Sequence, residues 1–107
     1  MAHWMDRLDE FTESYGWQLL GLKQKPSDYV RRQVCVSFDP GEHTMGALGP
    51  MLGTDMMLWA SDFPHSDARY PGVVAELRQH TTDMTAEARA KLYGGNALRF
   101  YGLPEAA

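Results

Sequence analysis

Residues 56–67 have the sequence Met-Met-Leu-Trp-Ala-Ser-Asp-Phe-Pro-His-Ser-Asp. The architecture is best predicted from this stretch, because its apolar run ends abruptly in acids and a histidine. Residues 56–60 have no polar side chain and no alternation, a pattern typical of a parallel strand covered on both faces. The proline in the polar segment cannot continue a central strand because it has no backbone N–H. The loop at the carboxyl end of this strand, where α/β folds bind ligands, is therefore predicted to hold Asp62, His65 and Asp67.

The residues around this stretch predict an α/β arrangement. Residues 34–38 are β-branched and apolar and stop at Asp39-Pro40-Gly41, which indicates a strand ended by a turn. Apolar residues at helical spacing predict a helix over residues 42–52. Strand, helix and strand 56–60 form a βαβ unit, with parallel strands and a right-handed crossover.

Helices are predicted on both sides of this unit. Before it, Trp4, Leu8, Phe11 and Tyr15 mark an amphipathic helix over residues 3–16 that needs a packing partner. Residues 17–25 are either a short strand or a packed loop, and Ser27 is the expected N-cap of a short helix over residues 29–33. After the unit, helices are expected from Pro71 to His80, from the N-cap Thr85 to Tyr93, and from the cap Asn96 to Tyr101, closed by Gly102.

Composition limits the class of protein. The 107 residues are enough for one domain, and a net charge of −4 with a pI near 5.4 argues against a nucleic-acid or anionic-membrane partner. No apolar run approaches the roughly 18 residues of a membrane helix, and no export signal is present, so a cytoplasmic location is expected. The single cysteine, Cys35, lies between valines and is expected to be a buried thiol in a reducing compartment.

Few residues carry recognisable chemistry. The chain has no Walker loop, no Gly-x-Gly-x-x-Gly, no His-Glu-x-x-His and no Cys-x-x-Cys. Asp39 and His43 follow the first predicted strand, so they share one end of the sheet with Asp62 if the two strands are neighbours. Acids after strands also cap helices, and a Ser-Asp-x-Pro turn is an ordinary exit from a strand. The local residues therefore leave both a functional and a purely structural role open.

Two separated segments carry a family resemblance. Residues 58–67, Leu-Trp-Ala-Ser-Asp-Phe-Pro-His-Ser-Asp, are followed by Tyr70-Pro71 and then by residues 95–103, Gly-Asn-Ala-Leu-Arg-Phe-Tyr-Gly-Leu. Upstream, residues 25–29 and the strand end at residues 37–39 fit the same pattern. Together they resemble the C-terminal portion of the amidohydrolase-related (amidohydrolase 2) family, whose members are metal-dependent hydrolases and non-oxidative decarboxylases.

The resemblance implies a partial (β/α)₈ TIM barrel, a C-terminal βαβα segment with flanking helices, in which residues 34–38 and 56–60 are strands seven and eight. Asp62 matches the family's catalytic aspartate, which binds the metal and takes part in proton transfer. Ser61 and His65 match positions next to the site. Together with Asp39 and His43, they are candidates for contacting the substrate or the residues that bind the metal. The implied cofactor of the complete family member is a divalent metal, zinc or manganese, and the substrate is a small carbonyl or carboxylate compound.

The chain also departs from the family pattern. It contains no His-x-His pair, which supplies other metal ligands in the family, and a complete barrel needs roughly 250 residues. Residues 1–107 are therefore expected to form a single segment, the C-terminal third of a barrel. Little or no turnover is expected from the isolated chain, and whether it retains any metal stays open. An alternative metal set, shared across a symmetry axis, combines Asp62 with His65, Asp67 and His43.

Two hypotheses follow from different classes of function. The chain is either the C-terminal part of a metal-dependent hydrolase or decarboxylase, or a non-catalytic barrel remnant that self-associates as a structural module. Two parallel strands leave exposed edges in either case. Association is therefore expected, with the remaining barrel segment or with itself as a homo-oligomer. The sequence leaves the substrate, the reaction type, the metal and the oligomeric state undecided.

Overall fold

A computed structural model describes residues 1–16 and 21–104 of the chain. It divides into two compact units, Met1–Val34 and Cys35–Ala107. The first is helical, and the second combines helices with a small parallel sheet, as the α/β prediction requires. No helix in the described part of the chain is both long and apolar enough to cross a membrane.

The first unit contains two helices. α1 spans Ala2–Tyr15 and ends at Gly16, whose φ of 85° is readily adopted only by glycine and whose N–H donates to Thr12 O. This confirms the predicted first helix. Within the ambiguous stretch 17–25, residues 17–20 lie outside the described residues, and residues 21–25 form turns and bends. α2 spans Pro26–Gln33.

The contact between α1 and α2 is polar at its centre. The Asp9 carboxylate accepts hydrogen bonds from the Ser27 backbone N–H, at 2.9 Å, and from Ser27 Oγ, at 2.6 Å. The predicted N-cap role of Ser27 is wrong. The N-cap of α2 is Lys25, the helix begins at Pro26, and the Ser27 hydroxyl donates to Asp9 instead. Met5 and Thr12 are buried on the same side of α1 as this contact.

This contact changes the acidity of Asp9. Partial burial acts to raise the pKa of Asp9, but the two hydrogen bonds from Ser27 and the charge of Lys25 outweigh it, so the pKa lies below its ordinary value. A lowered pKa in the folded state stabilises the fold fully above the ordinary value of about 4. The stabilisation is lost as the pH falls through the lowered value.

We expect Ser27→Ala to raise the pKa of Asp9, because the hydrogen bond from the Ser27 hydroxyl to the Asp9 carboxylate is lost. The free energy of unfolding should fall by about 1 kcal/mol at neutral pH, the usual size of a hydrogen bond to a part-exposed charged group. NMR titration of the Asp9 carboxyl carbon measures the first change and urea unfolding the second. An unchanged Asp9 titration would contradict this account.

The second unit begins with a βαβ arrangement. β1 spans Val36–Phe38, α3 spans Met45–Leu52, a 3₁₀ turn covers Thr54–Met56, and β2 spans Met57–Trp59. The strands are parallel, with Val36 opposite Met57 and Phe38 opposite Trp59. The predicted βαβ order and parallel pairing are confirmed.

Both strands are shorter than the predicted residues 34–38 and 56–60. Val34 terminates α2, and Met56 belongs to the 3₁₀ turn. Met57 is fully buried, whereas Leu58 and Trp59 are half-buried and Ala60 is exposed. Within the described residues, the expected cover on both faces of this strand is therefore incomplete.

The C-terminal helices follow in close succession. α4 spans Val73–His80, α5 spans Ala86–Ala90, a wide π-type turn covers Lys91–Gly95, and α6 spans Asn96–Tyr101. Pro71 precedes α4 rather than lying in its first turn, because Gly72 is the N-cap. Thr85 caps α5 as predicted, its hydroxyl accepting from Ala88 N–H at 3.1 Å. Gly102, with a φ of 64°, closes α6 as predicted.

The core of this unit is rich in methionine. Its buried apolar residues are Phe38, Met45, Leu52, Met56, Met57, Leu77, Met84, Ala88 and Leu92. Methionine side chains are flexible and fill irregular gaps between short elements. Such a core suits a unit whose strands have only three residues each.

Asn96 ties the last helix to the second strand. Its side chain is 1% exposed, and its Nδ2 donates to Thr54 O at 2.7 Å and to Met57 O at 2.8 Å. The predicted capping role of Asn96 is wrong, because Gly95 precedes α6 and the Asn96 amide is directed to residues 39 and 42 positions earlier. This amide fixes the entry to β2.

We expect Asn96→Ala to lower the free energy of unfolding by about 2 kcal/mol, because the buried Met57 carbonyl loses its Asn96 donor and the Thr54 carbonyl keeps only the backbone N–H of Met57. Asn96→Asp should cost at least as much, since a carboxylate cannot donate and repels both carbonyls. Gln79→Ala, on an exposed helix position, is the control and should change stability by less than about 0.5 kcal/mol. Urea unfolding followed by circular dichroism compares them, and equal losses in all variants would contradict the assignment.

Candidate metal-binding site after the second strand

The polar segment leaves the sheet directly after β2. Ala60 N–H donates to Phe38 O at 3.3 Å, and the chain then turns away at Ser61, whose Oγ accepts from Phe63 N–H at 3.3 Å. Asp62 has a φ of 56°, the left-handed region that few residues other than glycine, asparagine and aspartate adopt. The predicted position of Asp62, in the loop at the carboxyl end of the strand, is therefore the observed one.

Asp62 and His65 contact each other. His65 Nδ1 lies 2.8 Å from Asp62 Oδ2, and His65 N–H donates to Asp62 O at 2.9 Å. Both side chains are open to solvent, at 57% exposure for Asp62 and 70% for His65. A single turn of chain with spacing i to i+3 therefore brings a carboxylate and an imidazole together at the surface.

Asp67 completes a group of three. Asp62, His65 and Asp67 each offer one ligand atom, and these atoms lie within 4.8 Å of one another. No other group of three or more such side chains meets this distance within residues 1–16 and 21–104. Carboxylate and imidazole groups are ligand types that zinc and manganese accept.

The Asp62–His65 hydrogen bond limits which atoms of this group are available to bind an ion. Asp62 Oδ2 and His65 Nδ1 are directed at each other, so the two atoms are not both free for a metal. Carboxylates that bind metal ions in proteins are usually held in place by hydrogen bonds from neighbouring groups. The donor set therefore fits Asp62 as a ligand through its second oxygen, with His65 as the residue that orients it.

Asp39 lies after β1 but has other partners. Its Oδ1 accepts from Gly41 N–H at 2.7 Å and lies 3.5 Å from Arg69 Nε, while Arg69 also lies 3.5 Å from Glu76. Arg69 thus joins the loop after β1, the loop after β2 and α4. Gly41 permits this, since a Cβ there would lie 2.7 Å from the Arg69 guanidinium.

His43 is separate from the three-residue group. Its ring packs edge-on against His80, with centroids 4.5 Å apart, and His80 Nδ1 donates to Pro40 O at 2.9 Å. His80 was predicted only as a helix-end residue, and its contact with the turn after β1 has no signal in the sequence, because 40 positions separate the two. The sequence likewise gives no signal for the contact between Arg69 and Asp39.

The backbone at Asp62 decides which substitution tests its charge. We expect Asp62→Asn to change the free energy of unfolding by less than about 0.5 kcal/mol, because asparagine tolerates the left-handed conformation and the side chain is exposed. Asp62→Val should cost about 1–2 kcal/mol, because a β-branched residue is strained there. Thermal unfolding of the two variants checks this, and equal melting temperatures would contradict it.

Comparison with known proteins adds one finding. The sequence profile of a family described as amidohydrolase matches residues 22–103. The match therefore includes α2, the βαβ arrangement, the Asp62 group and α6. No curated protein matches the sequence.

Proposed function

The chain belongs to the amidohydrolase family, and on that premise we propose that it is the C-terminal part of a metal-dependent hydrolase or non-oxidative decarboxylase. The observation that carries the proposal is Asp62, which follows β2 at the sheet's carboxyl end, oriented by His65 and beside Asp67. The family is generally metal-dependent. A carboxylate at the end of a parallel strand suits both metal binding and proton transfer.

The sheet supports placement in a larger barrel. β1 and β2 form a two-stranded parallel sheet in the described residues, and the outer edge of each strand has no strand partner there. A two-stranded sheet is only marginally stable alone, and parallel strands occur almost entirely in larger, covered sheets. In this proposal β1 is strand seven, β2 is strand eight, and the remaining barrel segment pairs with both free edges.

Asp62 has two tasks in the proposed reaction. The carboxylate of Asp62 would hold a divalent ion, zinc or manganese, while its hydrogen bond to His65 keeps it in place. When bound, the ion acts as a Lewis acid toward water or a substrate carbonyl. The carboxylate of Asp62 also accepts or returns a proton at the reacting atom, the usual role of an acid–base residue next to the substrate.

Other side chains support these tasks. His65 positions Asp62 through the hydrogen bond between its Nδ1 and Asp62 Oδ2. Ser61 fixes the turn through its hydrogen bond with Phe63 N–H. Asp39 and His43 lie in the loop after β1, where they contact Arg69 and His80. We propose that this loop borders the substrate space. The substrate is a small carbonyl or carboxylate compound.

The isolated chain is proposed to be inactive. Its described part has one group of potential ligands, which is exposed, and the sequence lacks the His-x-His pair that completes a family centre. Exposure leaves the group hydrated, so electrostatic stabilisation of a transition state is weak there. The second candidate function, a non-catalytic remnant that self-associates, is favoured by the same exposure and by the unpaired strand edges.

The metal proposal predicts a specific pattern of zinc and manganese binding. Isothermal titration should show one weak site per chain that Asp62→Asn weakens at least tenfold, since it removes the charged ligand. His65→Ala should weaken it about tenfold, the usual effect of losing an orienting partner. His43→Ala is the matched control and should bind like the wild type. Loss of binding in His43→Ala would instead favour the set shared across a symmetry axis.

Activity requires the rest of the barrel. Residues 22–107 joined to the first six βα units of a decarboxylase from the same family should give an active chimera, in which Asp62→Asn lowers kcat by about 10³-fold or more. The Asp62→Asn chimera must retain the same circular dichroism spectrum for the comparison to hold. A folded, metal-loaded chimera with unchanged kcat in the variant would contradict the catalytic role of Asp62.

A further inference from the structure

One face of α1 is apolar and exposed. Trp4 is 66% exposed, Leu8 42%, Phe11 51% and Tyr15 61%. Their spacing of four, three and four residues is that of alternating d and a positions in a heptad, and Met1, 52% exposed, extends it by three residues. We call Trp4, Leu8, Phe11 and Tyr15 the α1 seam.

The seam lies apart from the face that α2 covers. Met5 and Thr12, one position after Trp4 and Phe11, are buried, and Asp9 holds Ser27 on α2. On the opposite side a groove of about 440 Å³ runs beside the seam, lined also by Arg7 and Glu10. Within the described residues, the seam is therefore an unpartnered helix face of the Met1–Val34 unit, next to an open groove.

We propose that a second copy of this chain covers the α1 seam, with the two α1 helices antiparallel about a two-fold axis. Antiparallel pairing places a against d positions, so Leu8 packs on Phe11 of the partner subunit and Trp4 on Tyr15 of the partner subunit. The two-fold axis repeats each contact, giving four layers. The proposal is independent of the metal centre, because α1 carries none of the site residues.

The charges of α1 favour this occupant. Its four acids stand at outer heptad positions, whereas the positions that flank the seam are Met5, Arg7, Thr12 and Ser14. Three of the acids already have partners: Asp9 binds Ser27, Glu10 lies 3.4 Å from Arg7, and Glu13 lies 2.6 Å from Lys25. Of the four acids, only Glu10 lines the groove beside the seam, and its charge is paired with that of Arg7.

The apolar area is sufficient for a dimer. With about 200 Å² for an aromatic side chain, the exposed fractions of Trp4, Phe11 and Tyr15, with Leu8 and Met1, amount to on the order of 500 Å² per helix. Two copies bury about 1,000 Å², the lower limit for a specific interface. Aromatic residues are enriched in the energetically dominant parts of such interfaces. An interface at this lower limit is a weak one, so we expect a Kd in the micromolar range.

Sedimentation equilibrium of the full chain between about 1 and 100 µM tests the proposal. The wild type should be dimeric at the upper end, and Phe11→Glu should raise Kd at least 30-fold, because a carboxylate would be buried in an apolar layer. Leu8→Lys is a second variant in case Phe11→Glu fails to fold, and circular dichroism verifies the helices. The proposal is overturned if the wild type is monomeric at 100 µM or if both folded variants remain dimeric.

Two controls separate the seam from other surfaces. His3→Glu places the same charge on an outer position of α1, and Tyr70→Glu removes an equally exposed aromatic residue, 65% exposed, from the other unit. Both should dimerise like the wild type, and dissociation of either to the extent of Phe11→Glu would overturn the proposal. If Asp62→Asn loses zinc binding while the dimer is unchanged, the metal proposal and the dimer proposal are independent of each other.

Helix direction is tested by cross-linking in a Cys35→Ser background. A mixture of Leu8→Cys and Phe11→Cys chains should form a mixed disulfide dimer, because these positions face each other in the antiparallel arrangement. Leu8→Cys alone should cross-link poorly. Efficient cross-linking of Leu8→Cys with itself would indicate parallel helices and overturn the antiparallel arrangement.

Discussion

Two hydrogen bonds from the buried amide of Asn96 connect the end of the chain to the start of β2. The carbonyls that they satisfy flank Met56, where the 3₁₀ turn becomes a strand. A buried carbonyl without a donor is costly, so this amide fixes where the turn stops and the strand begins. Because β2 has only three residues, an error of one residue at its start would move Asp62 by a whole position along the loop. The candidate site therefore depends on a side chain 34 positions away in sequence.

A second layer of contacts holds the other end of the sheet. Arg69 lies between Asp39 and Glu76, and His80 donates to the carbonyl of Pro40. Arg69 and its partners are surface groups, and exposed ion pairs contribute little to stability. Their effect is one of position, since they join the loops after both strands to α4. The Asp62 group is then left at the surface of a loop that is anchored at both ends.

The elements with regular periodicity could be predicted from the sequence, whereas the contacts between them could not. The repeated apolar spacing gave α1, and Thr85 before an acidic first turn gave the start of α5. Ser27 and Asn96 also look like caps, yet each binds a group 18 or more positions away. A hydroxyl or an amide before a helix suits both roles, and only packing decides between them. The same holds for the site: the Asp62–His65 pair is local, but the partners of Asp39 and His43 come from distant segments.

In the described part of the chain, the two surfaces to which our proposals assign a partner are chemically different. The outer edges of β1 and β2 have no strand partner among the described residues, and apart from the Met57 carbonyl, which Asn96 satisfies, their backbone donors and acceptors suit another strand. The α1 seam presents side chains at heptad spacing, and its backbone is already satisfied within the helix, so it gains from another helix and not from a strand. A single partner segment that paired with the strand edges would therefore leave the apolar side chains of the α1 seam exposed. The proposed completion of a barrel and the proposed pairing of two copies are thus independent of each other, one depending on backbone hydrogen bonds and the other on apolar burial.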